Sequence, residues 1–254
     1  MEPTKKVENL PVYIFDTREE MGAAAAADAA ARINAVIAKK GEANVVFAAA
    51  PSQNELLENL LKYDIDWTKV RGFHQDEYIG ISADEPAGFG NFLRRAIFDR
   101  VPFKELYFLL CKADEAEAKC AEYTELLKKY PIDLIFLGMG ENGHLAFNDP
   151  HVADFNDPKR IKVVELDPVC RQQQVNDGCF PCFDAVPEKA MSLTMSFIMS
   201  VPEAICVVPT DRKANAVVNA LYGPVTTACP SSILRQHPNA ALYLDRASAS
   251  KLPE

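Results

Sequence analysis

Residues 132–150 read IDLIFLGMGENGHLAFNDP. The segment 132–137 is apolar apart from Asp133, which is typical of a parallel strand that is buried on both faces. Three glycines follow it, so the backbone can turn sharply and approach a ligand closely. The irregular stretch 138–159 is longer than a plain connection needs. Because parallel sheets place their sites at the carboxyl ends of strands, this segment predicts a buried sheet with a site at its edge.

Short β-rich runs and amphipathic helices alternate on both sides of this segment. A T-x-x-E capping box at Thr17 and Glu20 begins one helix, and Ser52 and Glu55 form a second such box. The alternation predicts an α/β fold with a Rossmann-like, mostly parallel sheet and helices on both faces. No repeat or linker divides the chain, so we expect residues 1–254 to form a single domain. The further strands are predicted at 12–15, 45–48, 70–73, 106–110, 161–166, 191–195, 204–208 and 241–244, and the helices at 17–40, 52–63, 87–100, 113–129 and 212–222.

The composition limits the kinds of partner. The chain has 254 residues and a formal net charge of −9. An acidic surface repels nucleic acid and anionic membranes, so neither is an expected partner. No apolar run reaches the roughly 20 residues of a membrane span, and the N-terminus lacks the apolar core of a signal peptide. The seven cysteines are odd in number and scattered, which favours free thiols in a reducing compartment and a cytoplasmic location.

His144 is the strongest candidate for chemistry. It lies in the glycine-rich turn, and Asp149 follows five residues later. An imidazole with a nearby carboxylate is suited to proton transfer near neutral pH. A turn whose histidine bonds only to the backbone would show the same spacing.

Two adjacent acids, Asp76 and Glu77, follow the strand predicted at 70–73. Either carboxylate is chemically able to act as a base. Side chains of neighbouring residues diverge on an extended backbone, so we expect only one of them to face a cleft. A helix cap or a solvated acid pair is the alternative, and it is favoured when this segment is considered alone.

Residues 47–55, FAAAPSQNE, lead from a predicted strand through a tight loop into a helix. The unpaired amides of a first helical turn bind anions. Lys213 begins another predicted helix, where a cation opposes the helix dipole and therefore often serves a different purpose. Arg171 is a further isolated cation, and a solvated surface position remains the alternative for both.

The sequence gives little reason to expect a metal or a cofactor. Cys179 and Cys182 form a lone C-x-x-C, with no second cysteine or histidine pair at zinc spacing. The four histidines show no H-x-x-x-H pattern either. We therefore predict no metal site and no cofactor.

Taken together, these segments resemble the glucosamine-6-phosphate deaminase/isomerase family, within the superfamily that includes 6-phosphogluconolactonase. Residues 76–80, DEYIG, match the DEYxG motif of the family, and residues 143–150, GHLAFNDP, resemble its DGHIAFNEP. Lys213–Ala214 and the segment 232–238 are also similar to the family. The resemblance extends over nearly the whole chain, in order.

This resemblance implies an enzyme that converts glucosamine 6-phosphate, or galactosamine 6-phosphate, to the ketose 6-phosphate and ammonium. Asp76 would move the proton between C2 and C1. His144 would assist opening of the sugar ring, steered by the neighbouring Asn142 and Asp149. The residues implied to bind the sugar or its phosphate are Ala49, Ala50, Ser52, Glu77, Gly140, Arg171 and Lys213.

Three departures from the family motifs leave other functions open. Asn142 stands where the family usually has Asp, and Asp149 where it has Glu. The phosphate loop reads AAPS at 49–52 in place of a threonine- and glycine-rich stretch, and Pro51 removes one amide donor. A 6-phosphogluconolactonase-type hydrolase is one alternative, although Tyr78 and Leu145 depart from its motifs. A weakened, sugar-phosphate-binding protein is another. The sequence does not decide whether the chain forms a homo-oligomer.

Overall fold

The computed structural model describes residues 1–253. The chain alternates strands with helices, as the sequence predicts. The strands are β1 Lys5–Val7, β2 Leu10–Phe15, β3 Ala43–Phe47, β4 Val70–His74, β5 Asp76–Tyr78, β6 Glu105–Tyr107, β7 Leu134–Leu137, β8 Ile161–Glu165, β9 Lys189–Leu193, β10 Glu203–Val208 and β11 Ala240–Asp245. The α-helices are α1 Arg18–Lys40, α2 Asn54–Leu60, α3 Phe89–Leu93, α4 Ala116–Lys129, α5 Pro168–Asn176, α6 Met195–Ser200 and α7 Ala214–Tyr222.

Eight strands form the main sheet, in the order β1-β2-β11-β10-β7-β3-β4-β6. Only the β1–β2 pair is antiparallel, and every other neighbouring pair in this sheet is parallel. The prediction of a mostly parallel sheet is therefore confirmed. The segment 132–137 contains β7, Leu134–Leu137, which lies between β10 and β3 in the interior of the sheet.

Helices cover both faces of the sheet, as predicted. Side chains alternate along a strand, so Val45 and Val46 of β3 enter two different hydrophobic clusters. The cluster that contains Val45 includes residues of α1, α2 and α3. The cluster that contains Val46 includes residues of α4, α6 and α7. Burial on both sides explains why the central strands are almost wholly apolar.

A second, three-stranded antiparallel sheet was not predicted. Its order is β5-β9-β8, and Asp76 of β5 pairs with Ser192 of β9. The strands predicted at 161–166 and 191–195 exist as β8 and β9, but they belong to this sheet. β5 was missed because its acidic residues have little intrinsic strand preference. Its pairing with β9 fixes the backbone of the acidic segment that follows β4.

Several helix boundaries differ from the prediction. The Thr17–Glu20 capping box is formed, but Ser52 caps no helix: a short 3-10 turn at Pro51–Gln53 precedes α2, and neither element has a side-chain cap. The helix predicted at 87–100 is α3 followed by a five-residue π-helix at Arg94–Phe98. The short helices α5 and α6 were not predicted from the sequence. Within residues 1–253, no helix has the length and apolar character needed to cross a membrane.

Candidate active site

A cavity opens at the carboxyl ends of the central parallel strands. Ala49 follows β3, Asp76 follows β4, Gly140 follows β7 and Thr210 follows β10, and all four line the cavity. This edge is where parallel sheets place ligands. Of the predicted site residues, those that line the cavity are Ala49, Ala50, Ser52, Asp76, Gly140, His144 and Lys213.

Asp76 supplies the carboxyl group of the cavity. Its side chain is held on β5 and is only 5% exposed. Burial, and then the charge of Glu77, raise the pKa of Asp76 well above its ordinary value. A carboxyl with a raised pKa is suited both to take a proton and to return it near neutral pH.

Glu77, the neighbouring acid, faces away from the cavity. Its carboxylate accepts hydrogen bonds from the backbone amides of Phe89 (3.0 Å) and Gly90 (2.8 Å) at the start of α3. The expectation that one acid of the pair faces the cleft agrees with this arrangement. Glu77 does not line the cavity as the resemblance implied, because its oxygens hold α3 in place.

His144 and Asp149 form a close side-chain pair. The Nδ1 atom of His144 lies 2.9 Å from Oδ1 of Asp149. Asp149 also accepts hydrogen bonds from Nδ2 of Asn142 and from the backbone amide of Asp167, both at 2.9 Å. Nδ1 is thereby occupied, which leaves Nε2 as the ring nitrogen for a ligand in the cavity.

Asn142 does not contact the imidazole ring. Its Oδ1 accepts a hydrogen bond from the backbone amide of His144 at 3.1 Å, and its Nδ2 bonds to Asp149. The resemblance implied that Asn142 and Asp149 both steer the ring. In the structure Asn142 holds the turn and the carboxylate, and Asp149 is the acid paired with the imidazole.

Asp149 remains ionised although it is fully buried. Burial alone would raise its pKa, but the hydrogen bonds from His144 and Asn142 and the Asp167 amide outweigh burial and hold the pKa below its ordinary value. A buried carboxylate of this kind orients an imidazole and stabilises its protonated form. The shorter Asp in place of the family Glu therefore still reaches the ring.

The glycines of the turn make room for the histidine. A Cβ atom at Gly140 would lie 2.2–2.4 Å from three atoms of the His144 ring. Gly143 has φ +83°, a left-handed conformation that side chains disfavour. Ala146 has φ +50° in the same loop and lines the cavity. The glycine pattern thus serves the packing of the imidazole as well as the sharp turn.

Lys213 is a buried cation without a partner. Its side chain lines the cavity and is 6% exposed, and within residues 1–253 its ammonium makes no hydrogen bond or ion pair. Burial lowers its pKa, although the charges of Asp177 and Glu141 oppose this. A buried and unpaired charge is costly, so the position indicates a site for an anion.

Arg171 does not line the cavity. Its guanidinium donates hydrogen bonds to the carbonyls of Phe183 (3.1 Å) and Val186 (2.9 Å) and lies over the Phe183 ring. This arrangement ties α5 to the segment that follows it. The expected phosphate contact from Arg171 therefore has no support in the structure.

Other residues of the cavity were not identified from the sequence. Arg18, Gln75 and Gln174 line it, as does Thr210, which has φ +79°. A positive φ is a genuine outlier for a β-branched residue and points to a functional constraint. The one signal available in the sequence was Arg18, a cation in the first turn of a helix, where the dipole disfavours it.

One grouping of potential metal ligands occurs within the described chain: donor atoms of His144, Asp149 and Cys170 lie within 4.8 Å of one another. The carboxylate of Asp149 already holds the imidazole, an amide side chain and a backbone amide. The grouping therefore fits a hydrogen-bonded relay better than an open set of ligands.

Comparison with known proteins shows which family has this sequence pattern. The model for glucosamine-6-phosphate isomerases/6-phosphogluconolactonase matches residues 16–243. This chain belongs to that family. Among its members, the glucosamine-6-phosphate deaminase of Listeria welshimeri is 35% identical over 213 residues, which cover 84% of this chain and 89% of that protein.

Solved structures of the family share the fold. A monomeric glucosamine-6-phosphate deaminase superposes with a TM-score of 0.83 and 27% identity, covering 94% of this chain and 98% of that one. A 6-phosphogluconolactonase from Shewanella baltica superposes with a TM-score of 0.77 over 96% of this chain and all of that one. The latter is only 18% identical, so it shows the fold alone.

Proposed function

We propose that this chain is an amino-sugar-phosphate isomerase/deaminase that converts glucosamine 6-phosphate, or galactosamine 6-phosphate, to the ketose 6-phosphate and ammonium. The observation that carries the proposal is the composition of one cavity. Asp76, with its raised pKa, lines it together with His144 and the unpaired Lys213. A base, a separate proton shuttle and an anion site are what this reaction needs.

The phosphate end of the substrate would lie against Lys213 and the loop 49–52. A buried ammonium without a protein partner gains most from a dianionic group. Holding the remote phosphate also orients the reacting end, and that binding energy can be used at the transition state.

His144 would open the sugar ring. Opening moves a proton from the C1 hydroxyl to the ring oxygen, and Nε2 of His144 is the ring nitrogen left to carry it. Asp149 fixes the ring orientation and stabilises the imidazolium formed on the way.

Asp76 would then carry the isomerisation. It removes the C2 proton of the open aldehyde and returns it to C1, while the carbonyl oxygen gains a proton and the amine nitrogen loses one. The aldehyde thereby becomes an alcohol, and the amine-bearing carbon becomes an imine. Water hydrolyses the imine to the ketone and releases ammonia, which is protonated to ammonium. One carboxyl serves both proton transfers, because its raised pKa allows it to accept the proton from C2 and to donate it to C1.

A hydrolase of the 6-phosphogluconolactonase type is disfavoured by Tyr78. This residue is fully buried and packs against the rings of Phe89, Phe147 and Phe180. The arginine that lactonases place at this position would be buried there among aromatic rings. The relatives with 30–35% identity are named as deaminases.

We further propose that residues 1–254 act as one domain in the cytoplasm. All seven cysteines are free in the described chain, which agrees with a reducing compartment. A metal or cofactor is not needed for the chemistry given above.

Product analysis tests the proposal. Purified protein is incubated with glucosamine 6-phosphate, galactosamine 6-phosphate and 6-phosphogluconolactone, and ammonium, ketose 6-phosphate and lactone opening are measured separately. We expect equal amounts of ammonium and ketose from one amino sugar, and loss of both in Asp76→Asn, while the ligand still raises the melting temperature of that variant. Lactone opening without ammonium would support the hydrolase, and a thermal shift without any product would support a binding protein.

A further inference from the structure

The cavity has two cationic side chains, Lys213 and Arg18, among its lining residues. A phosphate monoester carries close to two negative charges at neutral pH. Lys213 alone would leave part of that charge unbalanced in a site that also contains Asp76 and Asp177. Arg171, the other cation expected near the phosphate, is held elsewhere by backbone carbonyls. The second positive charge must therefore come from a residue that the family motifs do not indicate.

We propose that Arg18 is a phosphate-binding residue of this chain, acting as the second cation beside Lys213. The proposal rests on the proposed function only in taking the ligand to carry a phosphate. Arg18 is the first residue of α1, and its guanidinium donates a hydrogen bond to the carbonyl of Pro51, which itself lines the cavity. The group thus lies beside the loop 49–52.

The guanidinium retains donors for a ligand. Its Nε lies 2.7 Å from Oε2 of Glu55 and its Nη2 bonds to Pro51. Within residues 1–253, Nη1 has no hydrogen-bond partner. Arginine presents five N–H donors in a rigid fork, which matches the oxygens of a phosphate. The ion pair with Glu55 fixes one edge of the fork and leaves another available.

The placement of Arg18 in the helix is unfavourable by itself. A cation in the first turn opposes the helix dipole, whereas Glu19 and Glu20 beside it complement the dipole. An ion pair that only joins α1 to α2 would explain Arg18 without any ligand. Replacing Glu55 distinguishes a purely structural Arg18 from a phosphate-binding one. Glu55 belongs to the ion pair but does not line the cavity, so its loss should weaken phosphate binding only if the ion pair itself is what matters.

Direct binding of inorganic phosphate and glucosamine 6-phosphate, measured by calorimetry, tests the proposal without requiring turnover. Arg18→Ala should weaken both affinities about 10- to 100-fold, the range for a charge-assisted hydrogen bond. Glu55→Gln breaks the same ion pair and should leave both affinities unchanged or tighter. Arg100→Ala removes an equal charge from the exposed Arg100–Glu58 pair and should change neither.

Equal weakening in Arg18→Ala and Glu55→Gln would overturn the proposal, as would an unchanged phosphate affinity in Arg18→Ala. Should Arg18→Ala not fold, Arg18→Lys takes its place: it keeps the charge but loses the fork, and about 3- to 10-fold weakening is expected. If Arg18→Ala weakens phosphate binding but the wild type forms no ammonium, the phosphate-binding role of Arg18 is retained and the deaminase function is rejected. If Arg18→Ala deaminates normally and its phosphate binding is unchanged, the deaminase is retained and the role of Arg18 is rejected.

Discussion

At the scale of single residues, Asp76 lines the cavity and Asp149 lies behind His144, and the pKa values of these two carboxyls move in opposite directions. Burial raises the pKa of Asp76, whereas hydrogen bonds outweigh burial at Asp149 and lower its pKa. Such a divergence separates the roles of two acids in one site. In the proposed reaction, Asp76 is the group that exchanges a proton with the substrate, and Asp149 is the anion that holds His144.

The raised pKa of Asp76 predicts that replacing this residue increases the stability of the fold although it removes activity. Below about pH 3.8, its ordinary pKa, the carboxyl is protonated in both the folded and the unfolded chain. As the pH rises from there through the higher pKa of the folded chain, Asp76 ionises more readily in the unfolded chain. The free energy of unfolding therefore falls. We expect Asp76→Asn to be more stable than the wild type by about 1–3 kcal/mol at pH 8, with the gap closing toward pH 4. Denaturant unfolding at several pH values measures this, and a constant gap would contradict it.

The position of Asn142 predicts the effect of restoring the family residue. Asn142→Asp replaces a donor 2.9 Å from Oδ1 of Asp149 with a second carboxylate. Two carboxylates at that distance share a proton, which raises the pKa of the pair. We expect kcat/KM to fall several-fold and the acidic limb of its pH profile to move to higher pH. Asn142→Ala removes the donor without adding charge and should move that limb less. A higher rate at all pH values would show that the imidazole benefits from a second acid.

At the scale of secondary-structure elements, the close approach of α1 and α2 positions Arg18, which lines the cavity. Gly22 of α1 faces α2, and a Cβ atom there would lie 2.3 Å from the Cβ of Glu55. The same pair of helices carries the Arg18–Glu55 ion pair. The small residue lets the backbones meet and brings Arg18 to the loop 49–52.

Widening this helix contact should affect both stability and binding. Gly22→Ala forces α1 away from α2 and is expected to cost about 1–3 kcal/mol through overpacking, although alanine is the better helix former. The affinity for phosphate should fall as well, because Arg18 moves with α1. Ala31→Ser, at an exposed position of the same helix, serves as the control and should change stability by less than about 0.5 kcal/mol. Unfolding curves and phosphate titration check the result, and a stabilised Gly22→Ala variant would contradict the close packing.

At the scale of the whole molecule, the site joins segments from most of the chain. Arg18 lies near the N-terminus and Lys213 near the C-terminus, and the base and the imidazole come between them. A ligand that contacts all of these segments binds the folded chain and not the unfolded one. Its binding free energy is then added to the free energy of unfolding.

A substrate analogue should therefore raise the melting temperature. At 100 times the dissociation constant, the added stability is about 2.7 kcal/mol, or about 5–10 °C for a domain of this size. Differential scanning calorimetry with a sugar phosphate and with the matching unphosphorylated sugar measures the shift. We expect the shift from the phosphorylated compound and little from the other. Equal shifts would mean that the phosphate adds nothing to binding.

The sequence by itself determined the sheet, the order of most elements and the segments that meet at the site. Periodic burial and capping are local properties, so β7, the Thr17–Glu20 box and the glycine turn before His144 were predictable from short windows. The paired acids and Lys213 were found because unusual charges follow strand ends or begin helices.

Only the tertiary structure decided which of these side chains face the cavity. It turned Glu77 toward α3 and Arg171 toward backbone carbonyls, paired Asp149 rather than Asn142 with the imidazole, and brought Arg18 to the loop 49–52. The second sheet was equally invisible, because β5 exists only through its pairing with β9. The physical reason is the same in each case: where a side chain points depends on partners that are distant in sequence, and no local pattern encodes them.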